Sequence, residues 1–504
     1  MASTHYRHSQ CKAILLIRRL HTVLTLRHVE SDVPSSSPQT AKFEARTNKG
    51  AVEECYNENL GSFPPSRATT SACEIVLLEA QQEAGYRYMF EKLMQKAAAL
   101  DHRIEEIGSV VAETHQLLEW CNPNFPSQEE VVTVGRICCD SDARLNDASV
   151  LLETKFSIGG GIRTRLRLEA LPSFALFPGQ IVGLQGTNRT GDYFMATKLY
   201  LPPPLPVPKM PLAQLRDYHI TASGDSKKPL GIMVAAGPYT LDDSLNFEPL
   251  LALLDAVERS RPDLAIFMGP FLDRQHPLTL RGQADRFPDE LFADQILAPI
   301  MDTLARCPAT RIALVPSTDD LITEYMSLPQ APLDLSTLTS AKVGMTNTPL
   351  CWPNPVQFRI NEVHVALAST DVLMHISQEE IAQSPNVSDR LARLAGHLLE
   401  QRSLYPLYPP ALGEHVDTEH ASALSLYQQP DLMILPSQLR HFCKTIGSGA
   451  LCINPGRLSR KQAGGTFARI TVHPFASELF YTTEASSRLT HKISERTKVE
   501  IVRV

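Results

Sequence analysis

From Tyr86 onward, apolar residues recur at alternating spacings of three and four: Phe90, Leu93, Ala97, Leu100, Ile104, Ile107 and Val111. That spacing puts them on one face of a helix. The pattern predicts a helix over Glu74 to Leu118, interrupted near Gly85. It holds fewer than four clean heptads, so the stripe is expected to pack on its own chain and not to form a coiled-coil seam. Asn122-Pro123 and Pro126 end the helix, and the period changes to two. Short strands are predicted at Val131–Ile137, Ser149–Glu153, Thr164–Leu168, Gln180–Gly186 and Tyr193–Leu199. Turn residues separate them, at Asp140-Ser141-Asp142, Gly159-Gly160-Gly161, Phe177-Pro178-Gly179 and Thr190-Gly191-Asp192. Five short strands in close succession imply a small closed barrel, most simply an OB-fold.

Leu201 to Pro211 reads LPPPLPVPKMP, an extended, stiff spacer by composition. Beyond it, buried strands alternate with helices. The run Ile232 to Ala236 stops at Gly237-Pro238, and a helix over Asn246 to Val257 follows. Asp263–Met268 is a second strand, followed by a helix over Asp289 to Leu304 with Phe292, Ile296, Ile300 and Leu304 in register. Arg311–Val315 is a third, and Phe358–Ile360 with Val363–Ala368 forms a hairpin around Asn361-Glu362. Asp431–Leu435, Leu451–Ile453 and Thr466–His473 complete the set. Alternation followed by a run of strands predicts a two-sheet α/β sandwich.

Composition adds less. The length of 504 residues suits two or three domains. A formal charge of −7 gives no bulk attraction for nucleic acid, and no apolar run approaches the ~20 residues a membrane span needs. The ten cysteines show no C-x-x-C, so neither a disulfide framework nor a structural zinc is indicated. Residues 1 to 29 carry Arg7, Lys12, Arg18, Arg19 and Arg27 without any Asp or Glu. That composition is shared by mitochondrial transit peptides and by unstructured tails. Residues 31 to 72 are rich in Ser, Pro, Thr and Asn and read as linker or disorder.

Strand ends in an α/β sheet are where chemistry is placed. A two-metal phosphoesterase on this layout needs carboxylates, an Asn and several His on consecutive strand-end loops. The loops resemble those of calcineurin-like phosphoesterases in position and not in content. Gly237-Pro238-Tyr239 stands in place of Asp-x-His, and Gly269-Pro270-Phe271-Leu272-Asp273 in place of Gly-Asp-x-x-Asp, so the bridging carboxylate is Pro270. Pro316-Ser317-Thr318-Asp319 replaces Gly-Asn-His-Asp/Glu, and Asn454-Pro455-Gly456-Arg457 replaces Gly-His-x-His. Asp273, His276, Asp319 and Asn454 remain as candidates, yet isolated Asp and His at strand ends are commonly caps or surface groups. No catalytic residue, metal ligand or cofactor is therefore expected. On the barrel, Arg163, Arg165 and Arg167 share one strand face, with Phe156, Phe174 and Tyr193 available to stack on bases. Residues 131 to 200 hold eight Lys/Arg against six Asp/Glu, a weak electrostatic footprint for a single-strand binder.

An OB-fold followed by a phosphoesterase domain stripped of its ligands resembles the B-subunits of eukaryotic replicative DNA polymerases, the alpha branch most of all. The resembling segments are Leu176–Gly186, Ala196–Tyr200, Gly237–Ser244, Arg261–Asp273, Ser369–Ile381, Leu435–Phe442 and Ile453–Ile470. The expected fold class is mixed α/β (α+β, multi-domain): an OB-fold β-barrel plus a two-sheet sandwich of calcineurin-like phosphoesterase type. Its divisions are a disordered region over 1–72, a helical segment over 74–120, the OB-fold over 128–200, a Pro-rich linker over 201–228 and the inactive phosphoesterase-like domain over 229–504. The small N-terminal helical domain usual in the family has no convincing copy in residues 1–72.

The resemblance implies a non-catalytic nuclear subunit, partnered by the C-terminal domain of the DNA polymerase alpha catalytic subunit and, through the complex, by the primase subunits. It would touch DNA only indirectly or weakly. The rival readings are an active metallophosphoesterase or nuclease with unusual ligands, and an independent single-strand binder.

Overall fold

The computed structural model describes residues 43–504 apart from 67, 69, 72, 79–89, 142, 339–347, 385 and 483–486. The acid-free leader and the Ser35-Ser36-Ser37-Pro38 stretch lie outside the described residues.

Two sheets face each other. The first has seven strands in the order Val52–Tyr56, Thr497–Arg503, Thr466–Val472, Leu230–Ala236, Leu264–Met268, Arg311–Val315 and Leu350–Cys351. Leu230–Ala236, Leu264–Met268 and Arg311–Val315 run parallel, so their carboxyl ends lie on one side. The second sheet orders Phe442–Ile446, Ala450–Asn454, Leu432–Ile434, Val363–Leu367, Val356–Ile360 and Ile75–Leu77. Alternate residues of each strand point to opposite faces. Ile232, Val234, Leu264 and Ile266 therefore meet Phe358, Val365, Leu432 and Ile434 between the sheets. Met233, Ala235, Phe267 and Leu314 face outward onto the helices Glu248–Ser260 and Ala298–Arg306. The helices Val372–Glu379 and Arg390–Glu400 cover the second sheet's outer face through Leu373, Ile376, Leu394 and Leu398. The helix expected over Asp289 to Leu304 contains a π turn, Ala293–Leu297, just before Pro299. Proline has no N–H for the preceding turn, and the wider turn absorbs that lost bond.

Five strands close the barrel: Ser127–Cys139, Val150–Glu153, Arg163–Arg167, Phe194–Tyr200 and Ile181–Asn188, in that spatial order. The third and fifth in sequence pair in parallel, the rest antiparallel, as an OB-fold requires. The helix Leu93–His115 packs Ile104, Ile107 and Val111 on Val134, Ile181 and Tyr200.

Three sequence expectations are corrected. The helix does not start at Glu74: Ile75–Leu77 is an edge strand paired with Val356–Ile360, and helix begins at Leu93. The front of its stripe is not packed, leaving Leu93 86% exposed. Residues 31 to 72 are not all linker. Val52–Tyr56 pairs antiparallel with Thr497–Arg503, and Phe43 and Phe63 are buried in the first sheet's outer core. Non-local pairing overrides the polar composition there. Nor is 201–228 a free spacer. Leu205 is buried in the second sheet's outer core, the Pro206 carbonyl accepts from Gln429 N at 3.1 Å, and Leu212–His219 is a helix.

Candidate functional site

The carboxyl ends of both sheets converge on a cleft of about 70 Å³, lined by Gly237, Pro270, Thr318, Asp319, Asp371, Glu414 and Arg457 among others. Gly237 and Gly269 end neighbouring parallel strands, and their turns nest. A Cβ on Gly237 would lie 2.0 Å from the Pro270 carbonyl oxygen. The two turns are therefore packed too closely to admit a side chain at Gly237.

Most of the predicted positions have a structural partner. Tyr239 turns away from the cleft into the core, stacked on Phe271 at 5.4 Å, its hydroxyl donating to the Met268 carbonyl at 3.0 Å. Burial holds its phenol well above the ordinary value. The Pro238 carbonyl accepts from Ser459 Oγ at 2.9 Å, and the Pro316 carbonyl from Ser369 Oγ at 2.6 Å. Asp273 caps its own turn, accepting from Gln275 N at 2.8 Å, and burial raises its pKa. His276 Nε2 donates to the Leu241 carbonyl at 2.8 Å while Nδ1 accepts from Leu278 N at 3.3 Å, which occupies both ring nitrogens. Asp319 pairs with Arg274 at 2.8 Å. Asn454 is a buried brace, its Oδ1 accepting from Ser437 N at 3.0 Å and Gly456 N at 2.9 Å. Arg457 lines the cleft and puts positive charge near Asp273. Among the described residues, no group of three or more His, Cys, Asp or Glu is placed to hold one metal ion.

Two residues escaped the sequence reading. Asp320 is buried beneath the Gly269 turn. Its Oδ1 accepts from the backbone N–H groups of Phe271 and, at 2.9 Å, Leu272, and its Oδ2 accepts from Ser317 N at 3.2 Å. Burial pushes its carboxyl up to about 8 against the pull of those donors. The Asp319-Asp320 doublet was the available signal, and only packing says which member points inward. Glu414 enters from a loop with no strand-end pattern. Thr318 Oγ1 donates to it at 3.2 Å, and burial beside Asp319 pushes it up to about 7.

On the barrel, Arg163, Arg165 and Arg167 do share an exposed face. Arg163 pairs with Glu153 at 3.2 Å; Arg167 pairs with Glu169 at 3.2 Å and lies over the Tyr193 ring. Phe156 is exposed, whereas Phe174 is buried in the barrel core and unable to stack on a base.

The barrel and sandwich are joined by more than the chain. Phe174–Leu176 pairs antiparallel with Ile381–Gln383, and Phe177 is buried among Leu373, Leu394 and Leu398 of the sandwich. Gly179, at φ +97°, approaches so closely that a Cβ would lie 2.3 Å from Tyr408 N.

Comparison with known proteins agrees with this architecture. Residues 232–444 match the family model for the B subunit of DNA polymerases alpha and epsilon, and residues 97–201 match that for the OB domain of the DNA polymerase alpha B subunit. The chain is 32% identical to the DNA polymerase alpha B subunit of Schizosaccharomyces pombe over 96% of its own length and 84% of the relative's. It is 35% identical to the Mus musculus protein of that name, over 87% of this chain and 70% of the relative. The Saccharomyces cerevisiae protein is 29% identical over 82% and 64%. The chain, an OB barrel packed on an α/β sandwich, belongs to the family of DNA polymerase alpha B subunits.

Proposed function

We propose that this replicative polymerase accessory subunit is non-catalytic and serves as a rigid platform within the DNA polymerase alpha–primase assembly. The observation that carries the reading is the make-up of the strand-end cleft, where among the described residues no three His, Cys, Asp or Glu could hold a metal ion together. Pro270 occupies the bridging position, and Asp320 holds the surrounding loops by three backbone hydrogen bonds. Two-metal hydrolysis needs an open, ligand-rich site at that point. The bonded seam between barrel and sandwich supports the platform role, since one body presents both surfaces at a fixed angle.

The partner is the C-terminal domain of the catalytic subunit, with the primase subunits held through the complex. Contact with DNA is indirect or weak, because Arg163 and Arg167 are already paired with Glu153 and Glu169. The protein resides in the nucleus, imported with its catalytic partner, since Lys227-Lys228 and Arg460-Lys461 are too short for a basic import motif.

The test is affinity capture of the full chain from cell extract, with mass spectrometry. Recovery of polymerase alpha and both primase subunits in near-equal amounts is expected. Capture of none of them, or imaging that places the protein in mitochondria through residues 1–29, overturns the reading.

A further inference from the structure

At the end of the second sheet away from the strand-end cleft, a groove of about 450 Å³ lies between the ribbon Lys209–Pro211/Arg488–Thr490, the helix Leu212–His219 and Arg359. Ser369 to Asp371 at the cleft follow the strand Val363–Leu367, whereas His364 at the groove sits near that strand's start. Three cations, Lys209, Arg359 and Arg488, line the groove against one carboxylate, Asp217. Lys209 and Arg488 are exposed and make no ion pair among the described residues. A local positive concavity on a chain of net charge −7 focuses anions that the rest of the surface repels.

The arrangement beside it is already that of an anion receptor. Arg359 donates to Tyr218 Oη at 2.8 Å and reaches Glu74 Oε2 at 3.4 Å, while the Tyr218 hydroxyl donates to the same carboxylate oxygen. A guanidinium and a phenol therefore converge on one oxyanion, supplied by an exposed side chain of the same protein. An exposed pair of this kind is weakly held, so a stronger anion displaces it.

We propose that this groove binds a single phosphate group carried on a peptide segment, with Glu74 occupying the receptor in its absence. A phosphorylated side chain brings about −1.5 to −2 charges and three acceptor oxygens, enough to engage Arg359, Lys209 and Arg488 together. Peptide is favoured over nucleic acid on two observations. The cations surround one compact volume and do not form a track, while the net charge opposes a polyanion. The wall also contains the half-buried Pro211 on a ribbon of only two strands, which offers apolar contact and a strand edge to an extended chain.

The test is fluorescence anisotropy with the full chain and three probes: a degenerate peptide pool with a central phosphoserine, the same pool with serine, and oligothymidylate. The phosphorylated pool is expected to bind about tenfold more tightly than the serine pool, one charge-assisted contact's worth. Lys209→Gln with Arg488→Gln should weaken that binding by about tenfold or more at unchanged melting temperature. Glu74→Gln should tighten it by up to about fivefold, because the internal competitor loses its charge. The proposal is overturned by equal binding of the two pools, by no binding, or by indifference to the double substitution. Oligothymidylate lost in the same variants would reassign the groove to nucleic acid. Inorganic phosphate competing as well as the phosphopeptide pool would reduce it to a simple anion site.

Discussion

Gln401 satisfies both backbone polar groups of Ile181: its Oε1 accepts from Ile181 N at 2.8 Å, and its Nε2 donates to the Ile181 carbonyl at 3.0 Å. Gln401 follows the sandwich helix Arg390–Glu400, and Ile181 opens a barrel strand, so one buried amide bonds the two domains. Gln401→Ala is expected to lower stability by about 2–4 kcal/mol, since it strands a buried donor and a buried acceptor. Calorimetry should then resolve two unfolding transitions where the parent shows one. A single transition with unchanged midpoint would separate the seam from domain coupling.

Glu380 makes the same seam sensitive to acid. Arg393 donates two bonds to it, at 2.8 and 2.9 Å, His397 lies 3.0 Å away, and the carboxyl is held at about 2. A folded pKa below the ordinary ~4.3 contributes stability above that value and loses it as pH falls through about 2. The bonded carboxylate also raises His397, whose contribution is complete below ~6.5 and fades as pH rises through its folded pKa. Glu380→Gln leaves Arg393 and His397 facing a neutral group and should cost about 3–5 kcal/mol at neutral pH. Denaturant unfolding as a function of pH measures it, and the variant should lose the parent's acid slope between about pH 4 and 2.

Much of the architecture is legible in the sequence because its signals are local. Strand periodicity, Gly-Pro stops and the helical stripe of Ile104, Ile107 and Val111 need only near neighbours, and those elements sit where the pattern puts them. What escapes is settled at long range. Val52–Tyr56 becomes a strand because Thr497–Arg503 offers an open edge. Leu205 is buried because the sandwich has a place for it, in a segment that composition alone describes as a spacer. At the cleft, the Gly-Pro turns are readable and their support is not. Asp319 and Asp320 are chemically alike, and only the fold turns one outward to Arg274 and the other beneath the Gly269 turn.

Asp320 gives the opposite pH sign from Glu380. Its folded carboxyl is raised to about 8, so the stability it contributes is complete below ~3.9 and is lost as pH rises through about 8. Asp320→Asn keeps an acceptor for the Phe271 and Leu272 N–H groups but turns an amide donor toward Ser317 N. The variant should be weaker by about 1–3 kcal/mol near pH 4. Its stability should also lack the decline, about 1.4 kcal/mol per pH unit for one proton, that the parent shows between pH 4 and 8. A parallel decline in both proteins would assign the slope to other groups.

Arg163, Arg165 and Arg167 are expected to be a solvated barrel face. Changing all three to Ser should leave single-strand binding by the assembled complex nearly unchanged, because two of the three are already paired with carboxylates. A clear drop with a shallower dependence on salt would make the barrel a direct nucleic-acid contact.

The strand-end cleft is expected to hydrolyse nothing. Loss of one ligand from a two-metal site can be tolerated, but here the losses coincide. Pro270 stands where the sequence leads one to expect the bridging carboxylate, Tyr239 has turned into the core, His276 spends both ring nitrogens on backbone, and Asn454 braces its own loop. The remaining carboxylates do not substitute for them. Asp319 is neutralised by Arg274, Glu414 is raised to about 7, and Asp320 is enclosed by backbone donors. Activating a water for attack requires cations fixed beside an open position, and among the described residues no three His, Cys, Asp or Glu are placed to fix one. The purified chain, assayed with excess manganese or magnesium against phosphomonoester and phosphodiester substrates, should show only background indifferent to Asp273→Ala and Asp319→Ala. Metal-dependent turnover abolished by that pair of substitutions would make the domain a working phosphoesterase and overturn the prediction.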